Sequence, residues 1–228
     1  MDIRLLGAKI IQTYRRDGLA VTVRKAFVAL VRVRRTDDFD RRHGTDTSDI
    51  QLLWEFKIDS PNARFGARYQ ATDEQELADA VSFLHEPPQN FTFIDLGCGK
   101  GRTLLVASKL GFRRVIGVEF ARELAKTART NLAKMGIANA VVVDADAADF
   151  HFPDSDMVVY LYNPFTIEVM QEVLANLQKS KAKRLYVIYR VPECADLFDS
   201  SGFLHRFGSP PGRQDIQIWK ASVPVARH

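Results

Sequence analysis

Phe93-Ile94-Asp95-Leu96-Gly97-Cys98-Gly99-Lys100-Gly101-Arg102 decides how the rest of this chain is read. A short apolar run ends in an acid and three alternating glycines, and Leu104, Leu105 and Ala107 then open a helical pattern. Glycines let the backbone turn tightly and let a ligand approach it closely. The helix start that follows offers unpaired N–H groups to a negatively charged ligand group. In open α/β sheets such turns lie at the carboxyl ends of the strands, where ligands bind. The spacing is G-x-G-x-G rather than the G-x-G-x-x-G of dinucleotide sites, and no Walker loop surrounds Lys100. Asp95 suits a ligand carrying an amino group or hydroxyls better than one carrying a pyrophosphate.

Outward from this turn the pattern repeats. Apolar runs at Phe91–Leu96, Val115–Val118, Ala140–Val143, Met157–Tyr162 and Leu185–Tyr189 alternate with helix-period segments. One segment carries Leu124, Ala128, Leu132 and Met135 on one face; another carries Met170, Val173, Leu174 and Leu177. Runs without polar alternation predict strands covered on both sides by helices. Phe203–Phe207 and Gln214–Lys220, joined through Ser209-Pro210-Pro211-Gly212, predict a closing antiparallel pair. Thr72 and Gln75 have the spacing of a capping box ahead of the stripe Leu77, Ala80, Val81 and Leu84, which Pro87 and Pro88 end. The expected fold is α/β: a Rossmann-like, doubly wound, mostly parallel seven-stranded sheet with an antiparallel C-terminal strand and an α-helical N-terminal extension.

Upstream, the chain changes character. Residues 1–36 hold nine Lys/Arg and two Asp, net +7, against +4 for all 228 residues, so residues 37–228 carry −3. Helical spacing of Ile3, Leu6, Ile10 and Tyr14, then of Leu19, Val23, Phe27 and Leu30, makes 1–36 a basic amphipathic arm. Such an arm either packs on the body, as a solvated helix face, or contacts anionic lipid, nucleic acid or a partner protein. Residues 37–70 are the least regular stretch, expected to be a lid or linker to which Arg41, Arg42, Arg64 and Arg68 lend a positive face. Residues 71–222 form the expected body.

Several classes are excluded or disfavoured. Apolar residues at 46% and charged residues at 26% fit a globular protein. No apolar run approaches the roughly 20 residues that span a bilayer, and no signal peptide is evident. Cys98 and Cys194 lack metal or disulfide spacing, so the cytoplasm is the expected setting, with a peripheral membrane location as the second. His43, His85, His151, His205 and His228 show no metal spacing, and no metal is expected. His43 is the one histidine worth testing as a base. Trp54 and Trp219 are expected to pack in the core.

Ile94–Gly101 resembles motif I of the class I S-adenosylmethionine-dependent methyltransferases, and the other motifs follow in order across about residues 70–220. The resemblance implies S-adenosylmethionine as cofactor, with Asp95, Gly97, Gly99 and Gly101 near its methionine and ribose. Glu119, closing Ile116-Gly117-Val118-Glu119, looks like the acid that takes both ribose hydroxyls, a role a carboxylate can fill. Asp146 followed by Ala147 resembles the segment that meets the adenine, with Asp144 as the competing register. Asn163-Pro164-Phe165 is similar to the Asn-Pro-Pro-aromatic motif of amino-group methyltransferases, without its second proline. Asn163 would accept hydrogen bonds from an amine, Pro164 would bias Asn163 towards an extended backbone, and Phe165 would wall the site. A strand-ending turn with a core Phe is the alternative there. Tyr69-Gln70-Ala71-Thr72 resembles the tyrosine-plus-Thr segment of non-SET protein lysine methyltransferases, where it covers the methionine moiety; Thr72 as a helix cap is the competing explanation. A protein amine is thus the favoured acceptor, nucleic acid or a small molecule the others, and a non-catalytic binding module using the arm is the alternative class.

Overall fold

The computed structural model describes residues 37–48, 71–163 and 165–221. The arm 1–36, Tyr69, Arg64, Arg68, Trp54 and Pro164 lie outside them. The elements run α1 (Asp38–His43), α2 (Glu74–Ser82), β1 (Thr92–Leu96), α3 (Arg102–Lys109), β2 (Arg114–Glu119), α4 (Arg122–Lys134) and β3 (Ala140–Asp144). They continue as β4 (Met157–Tyr162), α5 (Ile167–Gln178), β5 (Leu185–Arg190), α6 (Ala195–Asp199), β6 (Leu204–Gly208) and β7 (Ile216–Ala221). Among the described residues no helix is long and apolar enough to cross a membrane.

The seven strands form one sheet in the order β3-β2-β1-β4-β5-β7-β6. The pairs from β3 to β5 are parallel, and β7 runs antiparallel between β5 and β6. The expected doubly wound sheet is therefore present, closing antiparallel pair included. Two apolar layers cover it. Leu77, Ala80 and Val81 of α2 and Leu104 and Leu105 of α3 pack on one face with Phe93, Tyr160 and Tyr186. Val169, Met170, Val173 and Leu177 of α5 and Phe198 of α6 pack on the other with Ile94, Val159 and Trp219. Central strands are buried because both layers meet them: β1 along its whole length and β4 from Met157 to Leu161. Strand β3 departs from that expectation. It lies at the sheet edge and leaves Val141 43% exposed.

The strand order reverses between β1 and β4, so the crevice for a ligand lies beyond the ends of these two strands. Gly117 of β2 pairs with Asp95 of β1 there, and a Cβ on it would meet Cys98 Sγ and Leu104 Cδ1 at 2.6 Å each. Both neighbours are buried, so neither can swing away. Gly117→Ala is expected to cost about 1–3 kcal/mol by overpacking, read as a lower urea midpoint at unchanged slope.

Two local expectations are corrected. The cap of α2 is Asp73, whose carboxylate accepts from the N–H groups of Gln75 and Glu76. Thr72 is instead buried, its hydroxyl 2.9 Å from Tyr160 Oη. The helix stops at Ser82, ahead of Pro87. Within the stretch read as irregular, residues 37–48 are ordered as α1 and a following loop. Asp37 caps the start, and Gly44 ends the helix at φ 66°.

Candidate active site

The glycine turn is held in a conformation that side chains would oppose. Gly97, Gly99 and Gly101 have φ of 84°, 54° and 83°, all in the left-handed region. The amides of Gly97 and Cys98 donate to Val118 C=O at 2.8 and 3.1 Å, which ties the turn to the end of β2. A Cβ on Gly101 would stand 3.0 Å from Ala128 Cβ, so this glycine also lets α3 approach α4. Helix α3 begins at Gly101 without a side-chain cap.

Glu119, at the end of β2, folds under this turn and is 3% exposed. Its Oε2 accepts from Gly99 N–H at 2.9 Å and its Oε1 from Ala121 N–H at 2.8 Å. Burial pushes its carboxyl up to about 7, against the backbone donors that favour the charged form. Asp95 is equally buried, accepts from Thr103 Oγ1, and is raised to about 7 by burial and by the neighbouring Glu119. Burial also raises the Cys98 thiol, which argues against a thiolate nucleophile in the turn.

On the far side of β2, Asp146 Oδ1 accepts from Ala148 N–H at 3.0 Å, capping the single turn Ala147–Asp149, and Ala147 is buried. Asp144 pairs in register with Glu119 but is exposed and engaged by Arg129. At the end of β4, Asn163 Oδ1 accepts from Tyr189 Oη at 3.3 Å. Its φ of 36° corrects the expectation of an extended backbone. Asn is among the few residues whose side chain tolerates the left-handed region, and that tolerance outweighs the usual restraint before proline. Phe165 is half-buried against the α5 layer. The Arg190 guanidinium sits 4.0 Å over the Tyr162 ring and pairs with Glu76 at 2.7 Å.

The structure thus brings Asp95, the three glycines, Glu119, Asp146, Ala147, Thr72, Asn163 and Phe165 to the carboxyl ends of β1 to β4. His43 is elsewhere, stacked on Phe39 with Nδ1 donating to Phe39 C=O at 2.9 Å. Arg41 and Arg42 do not present an unpaired positive face, since Asp38 and Glu74 partner them. Sequence reasoning missed Thr103 and Asn131. Asn131 stands within the buried face of α4 and donates to Lys100 C=O at 2.9 Å; a polar residue in that apolar stripe was the available signal.

The donor set suits S-adenosylmethionine. Glu119 Oε2 takes the Gly99 N–H and Oε1 the Ala121 N–H, and a carboxylate has further lone pairs with which it can accept hydroxyls. The uncapped amides of α3 match a carboxylate, and Gly97 is exposed on the open side of the turn. Among the described residues no group of three or more His, Cys, Asp or Glu could hold a metal.

Residues 93–182 match the family model described as a methyltransferase domain. The stretch that holds the glycine turn, Glu119, Asp146 and Asn163 is thus similar to a methyltransferase domain. An uncharacterized protein of Methanocaldococcus jannaschii is 32% identical over 77 residues, which is 34% of this chain and 35% of that protein. The match therefore spans about a third of that relative's length. Among solved structures, the yhhF protein of Escherichia coli superposes with a TM-score of 0.55 at 18% identity, covering 73% of this chain and 98% of that one. A SAM-dependent methyltransferase from Aquifex aeolicus gives 0.50 at 16% identity, covering 67% of this chain and 100% of its own. At these identities the two likenesses show the fold alone.

Proposed function

We propose that this chain transfers a methyl group from S-adenosylmethionine to an amine nitrogen, a protein lysine or a similar amine. The observation that carries this reading is the placement of Asn163 and Phe165 at the end of β4, across the switch point from the glycine turn. When bound, the cofactor supplies an activated methyl on a sulfonium. The chain's task is then alignment and exclusion of water, which can lower a barrier by roughly 7–11 kcal/mol without a dedicated acid or base. Glu119 would hold the ribose, Asp95 and the glycine turn the methionine end, and Asp146 with Ala147 the adenine. Engagement of Asp144 by Arg129 favours Asp146 for that last role. Tyr69 and Thr72 would cover the methionine. Asn163 would orient the acceptor: Tyr189 occupies one lone pair of its amide oxygen and leaves the other for an amine N–H. Phe165 would wall the reacting centre.

Incubating the full chain with cell extract and S-adenosylmethionine labelled in its methyl group tests this. Methyl-lysine in hydrolysed protein is the expected product. Label confined to nuclease-sensitive material would replace the amine by nucleic acid, for which the +7 arm provides a site whose binding weakens steeply with salt. No labelled acceptor would turn the reading to a binding module, with the arm recruiting lipid or protein.

A further inference from the structure

The second half of the glycine turn is held from outside by residues 37–48. Asp40, 2% exposed, organises that segment. Its Oδ1 accepts from the Thr45 and Thr47 hydroxyls at 2.6 and 2.7 Å, and its Oδ2 from the Thr47 and Ser48 amides at 2.8 Å each. Burial works against its charge, but these donors prevail and hold the carboxyl down at about 2. The segment then grips two residues of the turn and helix start, Lys100 and Arg102. Lys100 Nζ meets Asp46 Oδ1 at 2.7 Å. Asn131 bridges Lys100 and Asp46, donating to both carbonyls at 2.9 and 3.0 Å and accepting the Asp46 N–H at 3.0 Å. Arg102 donates through Nε to Thr47 Oγ1 at 2.7 Å, pairs through Nη1 with Asp37 at 2.6 Å, and lies 4.7 Å over the Phe39 ring. Gly101 is thus flanked on both sides by residues fixed to another part of the chain.

The choice of groups bears on purpose. The Lys100 and Arg102 side chains are only 3% and 7% exposed. Burying a cation is costly unless it is paired and hydrogen-bonded, and most of the partners here come from residues 37–48. Undocking that segment would leave two under-compensated cations beside the turn, and the turn would move to rehydrate them. We propose that the Asp37–Ser48 segment is a positioning element that fixes the glycine turn in its cofactor-binding shape, through Thr47 on Arg102 and Asp46 on Lys100. This rests on the assignment of that turn to S-adenosylmethionine. Coupling of this kind is reciprocal, so filling the turn must also steady the segment.

The test uses the full chain and S-adenosylhomocysteine as probe, with calorimetry for affinity. Thr47→Val keeps shape but removes the hydroxyl; Asp46→Ala removes the carboxylate that partners buried Lys100 while its own side chain is 60% exposed. Each is expected to weaken binding about tenfold, and Thr47→Ser to restore it. Saturating probe is expected to slow amide hydrogen exchange across residues 37–48 in the parent chain. Asp199→Asn serves as the stability control, since Asp199 bonds Trp219 and Arg206 at the β7–β6 edge of the sheet, three strands removed from β1; its affinity should not change. Parent-like binding by both Thr47→Val and Asp46→Ala overturns the proposal. So does unaltered exchange in residues 37–48, or equal weakening in the Asp199 control. A parent chain that binds no probe overturns the cofactor assignment itself, and this inference with it.

Discussion

Glu119→Ala is expected to weaken S-adenosylhomocysteine binding by about 100-fold or more, near 2.7 kcal/mol, and to abolish methyl labelling at ordinary cofactor levels. The carboxylate ties Gly99 to Ala121, and in the proposed role it also receives the ribose, so its loss would remove both that ligand contact and a restraint on the turn. Glu119→Gln separates the two. Its amide is close in shape, but it loses a charged acceptor and should bind with intermediate strength. The pH dependence carries the same signature. The folded Glu119 carboxyl sits at about 7 rather than 4.5, and that of Asp95 at about 7 rather than 3.8. Groups raised in this way contribute stability below their unfolded values and lose it as pH climbs through 7. Unliganded protein should therefore be more stable near pH 5 than near pH 8, with the difference reduced in Glu119→Gln. Ligand binding, which uses the ionised carboxylate, should run the opposite way and weaken by up to about tenfold per unit below pH 7. Melting curves and calorimetry across pH 5–8 check both limbs. Parent-like affinity in Glu119→Ala would remove the ribose assignment. Asp40, held at about 2 rather than 3.8, acts in the acid range instead: its contribution is present above 3.8 and lost as pH falls through 2.

Asn163→Ala is expected to lower kcat about 100-fold, the scale of a lost orienting contact, while cofactor affinity stays within about twofold. The split matters because Asn163 stands at the end of β4 and Glu119 at the end of β2, so the two substitutions report on opposite sides of the crevice. Tyr189→Phe should fall between parent and Asn163→Ala, since it removes only the hydroxyl that steadies the amide. Steady-state kinetics on whichever acceptor the labelling identifies gives the answer. An unchanged kcat in Asn163→Ala would take the acceptor role away from this residue and return it to the simple strand-ending turn.

The fold was legible because its signals are collective. Met157–Tyr162 is apolar without alternation since both layers meet it, and Met170, Val173, Leu174 and Leu177 keep step with the α5 helix. Glycines in the left-handed region left the turn equally readable. What escaped was decided by single contacts. Helix α1 has six residues, too few for a periodic stripe, and is made by Asp37, Asp40 and its seat on Arg102. Thr72 and Asp73 are neighbours with similar capping ability; the choice between them was made by Tyr160, 88 positions away. The exposure of Val141 follows from the place of β3 in the sheet order, which local sequence does not specify. Asn163 turns against the bias of the following proline, as residues at functional sites often do.

The order of synthesis gives the α1 segment an unusual schedule. Residues 37–48 leave the ribosome well before the groups they dock on, Lys100, Arg102 and Asn131. A six-residue helix is far below the length that persists alone in water. The segment must therefore wait unfolded while the first two βα units assemble, and α4 has to be in place before it can seat. A nascent chain stalled ahead of α4 would display the glycine-rich bend without the brace behind it.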